Sequence, residues 1–293
     1  MRCFHMLKIG LSSCGKPISE ELFKNYAEAG IDCMEISVGL DEADELNWQE
    51  IFSWSQKYGV ELWSFHLPFC PFHKMDVSST DEELRQKSVD KCADYIMKIA
   101  DFGVKVFVIH ASGEPIDEDK RPEYMAQAKK SLKTLADVAD KCMVTIAVED
   151  LPRTCLGRDS SDMLELVSAD DRLKICFDTN HLLGEDIKEF IEKVGDKMIT
   201  THISDYDFIN ERHWLPGEGD INWEELYDTL IKVGYKGPWL YELGFDVPKS
   251  IKRDRDLTCE DFARNAKEIF ENKPITNIST RYEKLSYWGE PEE

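Results

Sequence analysis

Six imidazole or carboxylate side chains close six separate apolar runs: His66 ends SFH, His110 ends FVIH, Glu149 ends IAVE, Asp178 ends ICFD, His202 ends ITTH and Glu242 ends LYE. Each stands where a buried strand would meet a loop. Residues so scattered converge only if their strands are parallel neighbours with every C-terminal end on one side. A closed parallel barrel meets that condition, and its chemistry is found at that end. Imidazole and carboxylate without thiolate are the ligand types of a divalent-ion site. Glu149, Asp178, His202 and Glu242 follow the last four strands, which are adjacent around a barrel. They make a hard, oxygen-rich set suited to one Mn²⁺, Co²⁺ or Mg²⁺ ion, with Zn²⁺ also compatible. Positions left open would serve two substrate oxygens or waters.

Asp178 and His181 form D-x-x-H, a spacing that can place both side chains at one site. The segment SDYDFINERHWLPGEGDINW carries Arg212 and His213. Arg212 can hold a substrate hydroxyl, carboxylate or phosphate. The PGEG that follows, residues 216–219, has two readings. It is a tight connection before a helix capped by Asn222, or a place where backbone at Gly217 and Gly219 approaches a polar ligand. Trp63, Phe69, Phe107 and Trp214 lie near strand ends, where aromatic rings either line a sugar pocket or pack the core.

The elements that must position these residues repeat in a regular order. Residues 8–13, 32–39, 61–69, 105–112, 145–151, 174–179, 198–204 and 238–244 read as short apolar strands. Their composition suits burial on both faces. Amphipathic segments follow them. Met125, Ala128, Leu132, Leu135 and Ala139 recur in steps of three and four, the helical period. Gly30, Gly59, Gly103, Gly195 and Gly234 read as left-handed helix stops. Eight strands alternating with eight helices in 293 residues predict an α/β fold, a single (β/α)8 TIM barrel. A doubly wound open sheet would not bring six strand ends around one point. The barrel is expected over residues 1–273, with a C-terminal tail, 274–293, packing on the barrel exterior or a partner subunit through Tyr282, Tyr287 and Trp288. The same aromatic tail is the sequence's one hint of a homodimer.

Composition narrows the function. No run reaches the roughly 18 apolar residues needed to span a bilayer, and the start, MRCFHMLKIGLSSCGK, shows no cleavage pattern. The nine cysteines are odd in number and lack CxxC spacing, as expected of reduced thiols in a cytoplasmic protein. A net charge of −22 disfavours nucleic acid and anionic membranes as partners and favours a small molecule.

GLSSCG, SFHLPF, VIHASGEP, VEDLP, FDTNH, HISD, RHWLPGEGDINW and YELG together resemble the xylose isomerase-like barrel superfamily, from residue 8 to about 270. That superfamily includes sugar and sugar-phosphate isomerases and epimerases, inosose dehydratases and endonuclease IV. Similarity to its ketose 3-epimerase branch implies Glu149, Asp178, His202 and Glu242 as ligands of one divalent ion. It implies Glu149 and Glu242 as the proton-moving pair, with His181 and Arg212 at the end of the substrate. The endonuclease IV pattern of three zinc ions is matched in type by those four residues and by His66, His110, His181 and His213, with Glu211 where that pattern has Asp. The acidic charge and the PGEG turn favour the isomerase side, where the extra histidines would contact substrate. The expectation is a metal-dependent sugar or sugar-phosphate isomerase or epimerase of carbohydrate metabolism. It would act on a polyhydroxy carbonyl compound by proton transfer through an enediolate. An inosose-type dehydratase and a metal-dependent phosphodiesterase are the alternatives.

Overall fold

The computed structural model describes residues 6–292; the first five residues, part of the segment read as free of a targeting signal, and Glu293 lie outside it. Eight strands, β1 (Ile9–Ser12), β2 (Cys33–Ser37), β3 (Glu61–His66), β4 (Val106–His110), β5 (Thr145–Glu149), β6 (Lys174–Asp178), β7 (Met198–His202) and β8 (Trp239–Tyr241), form one parallel sheet in the order β7-β6-β5-β4-β3-β2-β1-β8. Ile203 N donates to Leu240 O at 2.8 Å and Glu242 N donates to Ile203 O at 3.2 Å, drawing the two edges together into a barrel. Every strand therefore delivers its last residue to the same rim.

Helices α1 (Glu20–Ala29), α2 (Leu40–Glu45), α3 (Trp48–Tyr58), α4 (Glu82–Ile99), α5 (Arg121–Lys141), α6 (Ser160–Val167), α7 (Ile187–Val194), α8 (Trp223–Lys232) and α9 (Cys259–Phe270) surround the sheet. The short α2, acid-rich and with only Ala43 buried, has no apolar period to announce it. Side chains of Ser19, Asn47, Asp81, Asp159, Asp186 and Asn222 accept from backbone N–H groups of the helices they precede. This satisfies donors that a helix start leaves unpaired. Gly30, Gly59, Gly103 and Gly234 adopt the left-handed conformation expected of them. Gly195 does not: its φ is −56°. Packing explains this glycine, because a Cβ there would lie 2.7 Å from Val233 at the end of α8.

The strands bury both faces. Outside the sheet, Phe177 stacks on Phe190 of α7 at 5.1 Å, and Trp239 meets Trp223 and Phe270 at 5.7 Å. Inside, Val106, Val108, Ala147 and Cys176 form a small apolar cluster, with Trp63 and Ile199 packed against it. Alternation along a strand sends every second residue to one face. Val108 and His110, Ala147 and Glu149, and Cys176 and Asp178 therefore share the interior, a dry layer beneath a polar one.

The chain after β8 forms β9 (Ile251–Arg253), which pairs antiparallel with β10 (Ser279–Arg281) of the tail. Arg281 donates to Glu218 O at 2.7 Å and to Asp220 Oδ1 at 2.8 Å, while Tyr287 O accepts from Arg212 Nη1 at 2.9 Å. The tail thus lies on the barrel's own β7–α8 loop, held by arginine and backbone bonds. Tyr282 lies under the Lys252 ammonium, but the rings of Tyr287 and Trp288 stay exposed. Among the described residues the cysteines are all free thiols, and no helix is long and apolar enough to cross a membrane.

Candidate metal and active site

One ligand atom from each of Glu149, Asp178, His202 and Glu242 lies within 4.8 Å of the others. His202 Nδ1 is 2.9 Å from Glu149 Oε1, 3.0 Å from Glu242 Oε2 and 4.0 Å from Asp178 Oδ2. Asp178 is fixed by its own turn: its N–H donates to Asp150 Oδ1 at 2.7 Å, and its Oδ1 accepts from Asn180 N at 2.6 Å. Its Oδ2 is buried with no hydrogen-bond partner.

Three carboxylates crowd one imidazole here. Burial first, and then Glu149 and Glu242, push the Asp178 carboxyl up to about 6 although His181 opposes them. Burial also resists the charge on Glu242 and Glu149, but the His202 imidazolium holds Glu242 at about 2 and helps hold Glu149 well below the carboxylate range. His202 is raised well above its ordinary value, against burial, by the acidic groups around it. Hard oxygen donors, one imidazole and an orphaned buried carboxylate oxygen fit a divalent cation.

His66 Nε2 and His110 Nε2 both meet Glu149 Oε2, at 3.0 and 3.1 Å. His66 Nδ1 donates to Leu67 O at 3.1 Å, so its Nε2 can face the carboxylate as a donor only in the imidazolium form. Burial disfavours that form, yet Glu149 carries His66 up to about 9. His110 is instead lowered by burial, and it stacks on Phe69 at 3.8 Å. His181 Nδ1 donates to Asp150 O at 2.7 Å, and its Nε2 lies 3.1 Å from Glu211 Oε1. His181, Glu211 and His213 make a second convergent group, their ligand atoms within 4.8 Å of one another. These four histidines, with Glu149 and Glu242, line a cavity of about 430 Å³ open at the rim.

Two of the anticipated substrate contacts do not line that cavity. Trp63 donates from Nε1 to Thr200 Oγ1 at 3.1 Å and packs on the inner apolar cluster below the polar layer. Arg212 donates to Asp207 Oδ2 at 2.8 Å and to the tail, with its side chain 1% exposed. PGEG is a packed turn: Asp205 accepts from Gly217 N and Trp223 Nε1 at 2.8 Å, and a Cβ on Gly219 would sit 2.1 Å from Asp205 Oδ1.

Three groups at the site escaped the sequence reading. Glu35, wholly buried on β2, reaches His202 Nε2 at 3.1 Å. A carboxylate inside the apolar run CMEIS was the available signal. Arg153, four residues past the end of β5, lies on the cavity wall and donates to Glu114 from Nε at 3.0 Å and Nη2 at 2.6 Å. It also pairs with Glu211. Nothing local marks Arg153 or Glu114 in the sequence, since their loops meet only in the fold.

Barrel, strand-end cluster and cavity define the class, a TIM barrel with its polar centre at the C-terminal rim. The chain belongs to the family described as Xylose isomerase-like TIM barrel, which matches residues 23–260. It is 25% identical over 255 residues to fructoselysine 3-epimerase of Escherichia coli O157:H7, covering 81% of this chain and 90% of that protein. It is 26% identical over 253 residues to D-psicose 3-epimerase of Ruminiclostridium cellulolyticum, covering 80% and 83%. Among solved structures, a D-tagatose 3-epimerase-like protein superposes with a TM-score of 0.76 at 24% identity, covering 91% of this chain and 96% of that one, which shows the shared fold.

Proposed function

We propose that the protein is a divalent-metal-dependent epimerase or isomerase of an unphosphorylated sugar or related polyhydroxy carbonyl compound. The convergence of Glu149, Asp178, His202 and Glu242 on one centre carries this reading. Asp178 and His202 would hold the ion together with the two glutamates. A bound divalent ion would supply positive charge beside the substrate carbonyl, which acidifies the neighbouring C–H bond. One glutamate takes the α-proton, and the electron pair of the broken C–H bond moves toward the carbonyl oxygen. The other glutamate, carrying a proton taken from water in the cavity, gives it to the opposite face. The first then loses its proton to water, so protons balance and no electrons are gained or lost overall. His202 and His110 keep Glu149 anionic, with His66 also on its Oε2, while Glu242, with its side chain 15% exposed, is open to the cavity. The names of the relatives, fructoselysine and D-psicose 3-epimerases, support this class of reaction.

The cavity's charges favour an unphosphorylated substrate. Among the described residues Arg153 is the one arginine or lysine on its wall, and Glu114 and Glu211 already neutralise it. Incubation with ketoses, aldoses and inososes in deuterated water, with Mn²⁺, Co²⁺ or Mg²⁺, tests the proposal. Deuterium should enter one substrate carbon and an epimer or isomer of equal mass, apart from the label, should appear. Loss of one water would point to a dehydratase instead, and no label uptake from any of these compounds would refute the proposal.

A second reading rests on the group His181, Glu211 and His213, together with the two histidines on Glu149 Oε2. A multinuclear centre for phosphodiester hydrolysis would use them as ligands. Elemental analysis separates the two: one ion per chain supports the epimerase, and three support the alternative.

A further inference from the structure

We propose that Glu35 is a positioning residue that sets the tautomer and aim of His202, and through them the affinity of the site for its ion. This rests on the metal-dependent reading above. Glu35 is wholly buried in β2. Its two carboxylate oxygens lie 3.1 and 3.2 Å from His202 Nε2, across the ring from the Nδ1 that faces Glu149 and Glu242. Ser64 Oγ donates to Glu35 Oε2 at 2.7 Å, and β2 pairs with β3 so that Glu35 stands opposite Ser64. Among the described residues no lysine or arginine pairs with it. A carboxylate sealed inside a barrel is costly unless its partners return the loss, and the His202 imidazole and the Ser64 hydroxyl are the partners present.

The contact has one chemical consequence. The geometry sets carboxylate oxygens against His202 Nε2, and a carboxylate oxygen accepts, so the hydrogen belongs on His202 Nε2. With that nitrogen committed, a neutral imidazole keeps its lone pair on Nδ1, the atom aimed at Glu149, Asp178 and Glu242. The opposite tautomer would point a hydrogen at the ion's place. A carboxylate behind a histidine ligand also raises its basicity, and losing such a partner typically costs about 10–100-fold in metal affinity. A purely structural Glu35 would alter stability and leave affinity and tautomer unmoved.

The test compares full-length wild type, Glu35→Gln, Glu35→Ala and, as control, Ser64→Ala. Mn²⁺ and Mg²⁺ affinities are read by calorimetry, and the His202 tautomer in the Mg²⁺-loaded protein by ¹⁵N NMR. We expect about tenfold weaker binding in Glu35→Gln, up to about 100-fold in Glu35→Ala, and little change in Ser64→Ala. Loaded wild-type His202 should be protonated at Nε2 alone, and Glu35→Ala at the same Mg²⁺ concentration should show a smaller loaded fraction. Unchanged affinity in a folded Glu35→Gln, or Nδ1 protonation in the loaded wild type, overturns the inference. So does collapse of both Glu35 variants to unfolded chains, which would make the role structural. A wild type that binds neither ion defeats the functional reading itself, a result distinct from normal binding with unmoved variants.

Discussion

Glu149 and Glu242 are the same residue type in unlike settings, and the difference predicts different mutant behaviour. Glu149 receives three imidazoles, from His66, His110 and His202, and is 1% exposed; Glu242 contacts His202 and opens to the cavity. Glu149→Gln and Glu242→Gln should each lower turnover by about 10²–10⁴-fold, the usual yield of a positioned acid or base. Solvent-deuterium exchange into substrate measures this. Both variants should also destabilise the fold, Glu149→Gln by about 3 kcal/mol because it strips the charged partner of several buried histidines, and Glu242→Gln by less because it touches His202 alone and is partly exposed; urea unfolding of the two variants makes the comparison. The sequence showed these residues as ends of apolar runs. It could not show which way Arg212 points, one position before His213. The backbone at His213 has φ 50°, and the Arg212 side chain goes to Asp207 and the tail while His213 lines the cavity.

At the scale of elements, the β7–α8 loop and the tail behave as one unit. Asp205 gathers the loop, accepting from Tyr206 N, Gly217 N and Trp223 Nε1, and Arg212 and Arg281 tie the tail to it. Gly219→Ala should therefore cost about 3 kcal/mol in chemical denaturation, the upper range for forcing atoms into a packed site, since its Cβ would also lie 2.4 Å from Tyr206 O. Arg212→Ala should release the tail and expose it to limited proteolysis, with a loss of about 2 kcal/mol. Substrate turnover should change far less than in the glutamate variants; a loss as large as theirs would return Arg212 to the substrate site. All eight strands were legible because each is a short apolar run buried on both faces. The short α2 and the β9–β10 pairing were not, because their residues lack a period and gain their partners only from distant chain.

At the scale of the whole molecule, pH should act on the metal-free protein from both sides. His66 rises from 6.5 to about 9 on folding, so its contribution is full below pH 6.5 and is lost as pH rises through 9. Glu242 falls from 4.5 to about 2, so its contribution is present above pH 4.5 and is lost as pH falls toward 2. Asp178 runs the other way: raised from 3.8 to about 6, it costs stability when ionised, and that cost is relieved as pH drops below 6. An ion needs Asp178 ionised. Metal affinity should therefore fall about tenfold per pH unit below 6 through this proton, in addition to the fall caused by the proton that His202 must also release. Melting curves from pH 5 to 8, with and without Mn²⁺, should show a metal-induced rise in Tm that shrinks on the acid side. A rise independent of pH would remove Asp178 from the ligand set. The surface, at a net charge of −22, adds a long-range field that repels anionic substrates.

Residue types, their order and their places at strand ends are properties of the chain alone, and they were enough to select a parallel barrel and a candidate ligand set. A period of two says which residues share a face, but not which face looks inward. The β2–β3 pairing passes from Met34 opposite Leu62 to Glu35 opposite Ser64, so the unpaired residue, Trp63, breaks even that count on β3. The burial of Glu35, the neutralisation of Arg153 by Glu114 and Glu211, and the turning of Arg212 to the tail were decided by tertiary packing. Each depends on chain segments far apart in sequence, whose approach is set by how the barrel closes and not by any local pattern.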